Sequence, residues 1–204
     1  MPTLLTPDIA PPAPEPRRKR WTRQECLGLE AAGVRDLQRY ELIEGDLIDR
    51  MGKNSPHVTA VIAITLWLHQ VFGALFVRFE GPIDVSPEDN PTNEPQPDTV
   101  VLAREYYNFT SATPRPADLR LVVEVSDSTL HFDLSTKAAL YARAGIVEYW
   151  VLDINRRRLI VHRNPVAGKY ESVVRYEENE PVCPLAAPDA EFRPSQAFPV
   201  PPAA

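Results

Sequence analysis

The segments QPDTVVL at residues 96–102 and LVVEVS at residues 121–126 decide the fold of this chain. Each is a short apolar run that contains a single carboxylate, Asp98 in the first and Glu124 in the second. Side chains alternate between the two faces of a strand, so Glu124 shares a face with Val122. If the two strands are neighbours in a sheet, both carboxylates point into one cleft.

The sequence on either side predicts alternating helices and strands. Predicted helices cover residues 22–32, 56–72 and 133–145, with Thr22, Ser55 and Asp133 as their expected N-caps. Predicted strands cover residues 40–44, 46–49, 75–85, 98–102, 119–126, 147–154, 159–163 and 169–176. We therefore predict an α/β fold with a mixed central sheet, flanking helices and a C-terminal β-meander.

Proline is concentrated at both ends of the 204-residue chain, which contains 22 prolines in total. Proline fixes its own φ and has no backbone donor, so proline-rich segments resist helix and sheet formation. We predict a disordered arm over residues 1–20, one folded domain over residues 21–180 and a loosely packed tail over residues 181–204.

Composition limits the partners and the compartment. The two cysteines, Cys26 and Cys183, have no metal-ligand spacing and cannot build a disulfide framework, which indicates the reducing cytoplasm. The apolar stretches are too short to span a bilayer, so we expect no membrane partner. The net charge of −6 disfavours strong non-specific binding to nucleic acid, although a local basic groove is compatible with it.

Asp98, Glu124 and Lys137 can each be interpreted either as part of a chemical site or as an ordinary structural residue. Two buried carboxylates in one cleft form an oxygen-lined site suited to Mg²⁺ or Mn²⁺. Taken singly, however, Asp98 could be a strand-start acceptor and Glu124 an edge carboxylate paired with an arginine. Lys137 lies four residues after Asp133, and this spacing by itself indicates an exposed ion pair on a helix.

Other marked residues are expected to be structural. His57, His69 and His162 share no spacing and are predicted to lie on the surface or in the packing, whereas His131 is close enough to the proposed site to contact a phosphate. The basic cluster at residues 156–158 fits a solvated hairpin turn, with a contact to the phosphate backbone as the alternative.

An ordered set of motifs resembles the Uma family of endonucleases, a branch of the restriction-endonuclease-like PD-(D/E)xK superfamily. The matching segments are YELIEGDLI at 40–48, QPDTVVL at 96–102, LVVEVS at 121–126, DLSTK at 133–137, YARAG at 141–145 and EYWVLD at 148–153. The superfamily lysine usually stands two residues after the second acid, where this chain has Ser126. The resemblance therefore implies that the lysine has moved to the following helix.

This resemblance implies a function and a set of site residues. The domain at residues 21–180 would be a restriction-endonuclease-like nuclease that hydrolyses phosphodiester bonds in nucleic acid, with DNA as the expected substrate. Asp98 and Glu124 would bind Mg²⁺ or Mn²⁺ together with the Val125 carbonyl and Glu44, and Lys137 would act on the attacking water or the developing oxyanion. Replacing Asp98 or Lys137 by alanine should abolish cleavage and leave the fold intact.

Two alternative activities remain open from the sequence, and the oligomeric state is a separate prediction. A non-catalytic module that keeps the nuclease fold and binds nucleic acid or protein would agree with the acidic net charge. A metal hydrolase that acts on another phosphate ester also fits. The exposed sheet edges that the meander creates predict a homodimer.

Overall fold

The computed structural model describes residues 18–50 and 54–198 of the chain. The predicted arm at residues 1–20 therefore lies outside the described residues except for 18–20. The last six residues of the predicted tail, 199–204, also lie outside them.

Three main helices and eight strands occur within the described residues. The helices are α1 (Arg23–Ala31), α2 (Ser55–Phe72) and α3, which consists of three consecutive segments (Leu130–Phe132, Asp133–Lys137 and Ala138–Arg143). The strands are β1 (Tyr40–Ile43), β2 (Asp46–Asp49), β3 (Val77–Phe79), β4 (Thr99–Leu102), β5 (Leu119–Ser126), β6 (Glu148–Asp153), β7 (Arg158–Val166) and β8 (Lys169–Tyr176). Short 3₁₀ turns are found at Arg35–Arg39, Ala74–Phe76, Asn90–Thr92, Tyr106–Phe109, Pro116–Asp118 and Pro194–Gln196.

The central sheet has six strands in the order β3-β4-β5-β6-β7-β8. Strands β5 and β6 run parallel, because α3 connects them as a crossover, and every other neighbouring pair is antiparallel. Strands β1 and β2 form a separate hairpin. The predicted mixed sheet with a C-terminal meander is therefore confirmed.

Two boundaries of the predicted elements are wrong for local reasons. Helix α2 takes Asn54 as its N-cap rather than Ser55, since the Asn54 side chain accepts a hydrogen bond from the His57 amide at 3.0 Å. The long strand expected at 75–85 is limited to β3, because Glu80 has a left-handed φ of 49°, which breaks the extended backbone. The N-cap predicted at Thr22 is confirmed.

Helix α3 begins three residues earlier than the sequence predicts. Asp133 is not its N-cap but the first residue of a π-helical turn, Asp133–Lys137, inside a continuous helix that starts at Leu130. A π turn holds one residue more than an α turn and changes which side chains face the sheet. Here both Asp133 and Lys137 are buried, so the exposed ion pair that spacing favoured is excluded.

The sheet carries one apolar cluster on each face. Val123 and Val125 pack under α2, whereas Val122 packs under α3 and the β1–β2 hairpin. This division follows the alternation of side chains along β5. It leaves Glu124 on the α3 face of the sheet, in the row next to Val122. None of the described helices combines the length and the hydropathy that crossing a bilayer requires.

The segment after β8 packs closely onto the protein, so the loose packing expected for the tail is wrong for residues 182–198. Phe192 is fully buried and contacts Trp67 of α2 with ring centroids 4.8 Å apart. The buried Glu148 carboxylate binds the same segment, since it accepts a hydrogen bond from the Leu185 amide. It also accepts hydrogen bonds from the Arg163 guanidinium of β7. Apolar side chains spaced between the prolines thus complete the core under α2.

We expect Phe192→Ala to lower the free energy of unfolding by about 3–5 kcal/mol, because it removes a buried ring and leaves a cavity beside Trp67. Urea denaturation followed by tryptophan fluorescence measures this loss. Leu185→Ala is the matched control, since Leu185 is 51% exposed and its truncation should change stability by no more than about 0.5 kcal/mol. Equal effects of the two substitutions would contradict the packing of this segment.

Candidate active site

Asp98, Glu124 and Lys137 come together at one pocket on the α3 face of the sheet. Asp98 immediately precedes β4, and its Oδ2 accepts a hydrogen bond from the Val125 amide at 2.8 Å across the β4–β5 pair. Lys137 extends from α3 and donates to Oε1 of Glu124 at 2.9 Å. The three residues that the sequence selected as the centre are therefore neighbours in space.

Lys137 is surrounded by carboxylates. Its Nζ lies 2.8 Å from Glu41, 2.9 Å from Glu124 and 3.9 Å from Asp133, and the residue is only 4% exposed. Burial on its own would lower the pKa of Lys137, but the three carboxylates outweigh burial and raise this pKa above its usual range. With these carboxylates around it, Lys137 is a cation at neutral pH in the metal-free protein.

Glu124 is held by two donors at a single oxygen. The Tyr141 hydroxyl donates to Oε1 of Glu124 at 3.0 Å, and this is the same atom that Lys137 contacts. Burial raises the pKa of Glu124 to about 8. Lys137 lowers it, while Asp98 and the other nearby carboxylates raise it further. Negative charge on Glu124 is therefore unfavourable in the metal-free pocket, because the carboxyl groups there outnumber the one lysine.

Asp133 links the start of α3 to the end of β5. Its Oδ2 accepts hydrogen bonds from the Ser126 hydroxyl and, at 2.7 Å, from the Thr129 hydroxyl. Burial raises the pKa of Asp133, although Lys137 and these two hydroxyls oppose the shift. The contact fixes the π turn against the sheet and so places Lys137 opposite Glu124.

His57 borders the same pocket from α2, although the sequence predicts it to be a surface or packing residue. Its Nε2 lies 3.5 Å from Oδ2 of Asp98. Its Nδ1 is buried and has no hydrogen-bond partner among the described residues. The sequence alone gave no reason to separate His57 from the other histidines, since its role depends on the packing of α2 beside β4.

Glu44 does not lie with the other predicted site residues. It occupies the β1–β2 turn with φ 51°, its side chain is 42% exposed, and it forms an ion pair with Arg143. Glu41 instead directs a buried carboxylate towards Lys137 from within β1. Of these two acids, Glu41 and not Glu44 therefore lies beside the other predicted site residues.

The remaining candidates lie away from the pocket. His131 is exposed on α3 and is not among the residues that line the pocket. In the basic cluster, Arg157 pairs with Glu178, and Arg158 pairs with Asp153 at 2.9 Å. This cluster is thus a hairpin turn whose charges are matched within the chain.

The donor chemistry of the pocket fits a hard divalent cation. Asp98, Glu124, Glu41 and Asp133 supply only oxygen ligands, and these are the ligands that Mg²⁺ and Mn²⁺ prefer. Both hydrogen bonds that other described residues donate to the Glu124 carboxylate go to Oε1, which leaves Oε2 available to a cation within that part of the chain. Across residues 18–50 and 54–198, no three His, Cys, Asp or Glu side chains are already arranged around a metal position. Lys137 instead occupies the centre of the acidic group.

Comparison with known proteins shows the family of this chain. The sequence matches the Uma2 family, described as "Putative restriction endonuclease", over residues 23–195. This chain belongs to the Uma2 family. No curated protein matches it.

A solved structure shares the Uma2 fold described above. It is titled a putative nuclease belonging to DUF820 from Anabaena variabilis ATCC 29413, and it superposes with a TM-score of 0.62 at 14% sequence identity. The match covers 78% of this chain and 89% of the other. At this level of identity the likeness shows a common fold. The Uma2 match extends beyond residue 180, in agreement with the packing of the C-terminal segment onto the core.

Proposed function

We propose that this Uma2 protein is an endonuclease that hydrolyses phosphodiester bonds in DNA and depends on Mg²⁺ or Mn²⁺. The observation that carries the proposal is the convergence of Asp98, Glu124 and Lys137 on one pocket, from a strand start, a strand and a helix that are distant in sequence. An ordinary surface ion pair would not need a buried lysine and a surplus of buried carboxylates.

Asp98 and Glu124 would hold the cation, joined by the Val125 carbonyl and by Glu41 in place of Glu44. A cation bound there would lower the pKa of a water ligand and offset the negative charge that develops on the phosphate. The excess of carboxyl groups over lysine at the pocket supports this assignment, as does Oε2 of Glu124, to which no described residue donates.

Lys137 would contribute through its charge and its position. Because the surrounding carboxylates raise its pKa, it keeps its proton and holds Glu124 and Glu41 in place by hydrogen bonding. The same ammonium group can stabilise negative charge on a phosphate oxygen. Asp133 and Tyr141 act indirectly, since the first orients Lys137 and the second fixes Oε1 of Glu124.

A non-catalytic module that keeps the nuclease fold is the second candidate. The net charge of −6 favours it, as does the position of Lys137, whose ammonium group already fills the centre of the carboxylates. Such a module would bind nucleic acid or protein without a divalent cation. A hydrolase for another phosphate ester would use the same pocket chemistry and would be found in a screen of nucleotides and sugar phosphates.

The deciding experiment measures cleavage of supercoiled and single-stranded DNA with Mg²⁺, with Mn²⁺ and with EDTA, comparing the natural chain with Asp98→Ala. Metal-dependent cutting that the variant lacks supports the nuclease. DNA binding in EDTA without cutting under any condition would instead support the binding module. The assay belongs under reducing conditions, because the unpaired thiols of Cys26 and Cys183 agree with a cytoplasmic setting.

The replacement of Glu44 by Glu41 in the proposed site can be tested with one pair of variants. Glu41→Gln should lower the cleavage rate by about 10–100-fold, because it removes a buried carboxylate that contacts Lys137 at 2.8 Å. Glu44→Gln is the matched control and should leave the rate unchanged, since that side chain pairs with Arg143 on the turn. Single-turnover cleavage rates compare the two. The opposite ranking would restore Glu44 to the site.

A further inference from the structure

Strand β8 forms one edge of the central sheet, and no further strand lies beside it among the described residues. Within that part of the chain, its backbone hydrogen bonds to other strands go to β7 alone. Val173 and Val174, in its middle, are 54% and 43% exposed. An eight-residue edge strand with exposed apolar side chains is a template for pairing with another strand.

The charged residues along this edge are complementary to those of a second, antiparallel copy of the same strand. Lys169 and Glu171 precede Val173, and Arg175 and Glu177 follow it at the same spacings. In an antiparallel pair of two such strands centred on Val173, Glu171 lies opposite Arg175 of the partner subunit. Lys169 then lies opposite Glu177 of the partner subunit. Opposite charges directly across two strands stabilise the pairing.

The same charges disfavour the neighbouring registers. A shift of two residues in one direction places Lys169 opposite Arg175 of the partner subunit, and a shift in the other direction places Glu171 opposite Glu177 of the partner subunit. Like charges directly opposite each other are destabilising. A shift of one residue would match side chains that point to different faces. Charged residues on an edge strand commonly prevent pairing with any partner. Here the order of the charges disfavours the registers on either side of the one centred on Val173 and favours that central register.

We propose that β8 pairs with β8 of a second copy of this chain, antiparallel and centred on Val173, so that two six-stranded sheets join in a homodimer. The contact is isologous, since each subunit presents the same strand to the other about a two-fold axis. Arg175 already lies 2.8 Å from Glu177 within one chain. Pairing would extend this contact into a row of alternating charges that also includes Lys169 and Glu171 of the partner subunit.

Charge reversal tests the interface and its register. The natural chain should have twice its 22.9 kDa mass in sedimentation velocity at micromolar concentrations. Glu171→Lys and Arg175→Glu should each give a monomer, because each places like charges opposite one another twice. Mixing these two variants should restore a dimer, since every opposed pair between them is again of opposite sign. Both substitutions are on an exposed edge and should leave the fold unchanged.

The double variant Glu171→Lys/Arg175→Glu should also recover the dimer, which separates a specific register from a general effect of charge. Glu191→Lys, an equal change of charge at a distant exposed position, is the control and should remain dimeric. A monomeric natural chain throughout the micromolar range would overturn the proposal. A dimer that neither single substitution disturbs would also overturn it, because the interface would then lie elsewhere.

Discussion

Asp98→Asn is expected to lower the rate of Mg²⁺-dependent DNA cleavage by about 1000-fold while the protein stays folded. The amide removes a negative charge from one of the carboxylates that would hold the cation, and a neutral amide oxygen is a much weaker ligand for Mg²⁺. An asparagine oxygen can still accept the hydrogen bond from the Val125 amide, which spares the β4–β5 junction. Single-turnover cleavage of a supercoiled plasmid, at saturating protein, gives the rate directly.

The control for this substitution is Asp189→Asn, which makes the same chemical change at an exposed position and should cleave at the natural rate. Asp98→Ala should lose as much activity as Asp98→Asn and somewhat more stability, because alanine leaves the Val125 amide without its acceptor. Cleavage by Asp98→Asn at the natural rate would remove Asp98 from the reaction and with it the proposed metal site.

Lys137→Met is expected to lower the free energy of unfolding of the metal-free protein by about 3–5 kcal/mol at high pH, as well as to abolish cleavage. The substitution removes the only cation that contacts Glu41, Glu124 and Asp133 in the described part of the chain, so these carboxylates become buried charges without a counterion. The expectation from sequence that this lysine could be replaced without affecting the fold does not take its burial into account.

The loss caused by Lys137→Met should grow as the pH rises. The pKa of Glu124 is raised to about 8 in the folded protein, so the folded state keeps a proton that the unfolded chain releases near pH 4.5. Stability therefore falls as pH increases towards 8 in the natural chain. Without Lys137 the pKa of Glu124 rises further, and the fall continues above pH 8. The difference between the two proteins should be smallest near pH 5 and largest near pH 9.

Urea denaturation in EDTA at several pH values measures this difference. Lys19→Met is a suitable control, because the Lys19 side chain is 54% exposed and its ion pair with Glu25 should contribute at most about 1 kcal/mol. A stability difference that does not depend on pH would mean that Lys137 acts through packing alone.

The sequence predicts the sheet and the central pair of acids for a clear physical reason. Asp98 and Glu124 interrupt apolar strands, where an unpaired carboxylate is costly, and strand alternation places Glu124 with Val122. These features are local, and two neighbouring strands are enough to bring the acids together. The motif order then identified Lys137, although helical spacing by itself indicated an exposed pair with Asp133.

The features that sequence could not predict depend on contacts between distant segments. The π turn has no signature in residues 133–137, and its geometry becomes evident only where Asp133 meets the hydroxyl of Ser126. Motif matching selected Glu44, whereas alternation along β1 directs Glu41 inward. The proline content of the last segment suggested weak packing and hid the apolar side chains that the core requires, such as Phe192.

The closure of the core by Phe192 has a consequence for how the chain is made. Helix α2 leaves the ribosome long before the segment that covers it, since Trp67 and Phe192 are 125 positions apart. At ordinary rates of translation, the apolar face of α2 stays uncovered for on the order of 10 s. During synthesis the nascent chain therefore exposes an apolar helix surface that a chaperone can bind. That surface is buried only after the C-terminal segment has been synthesised.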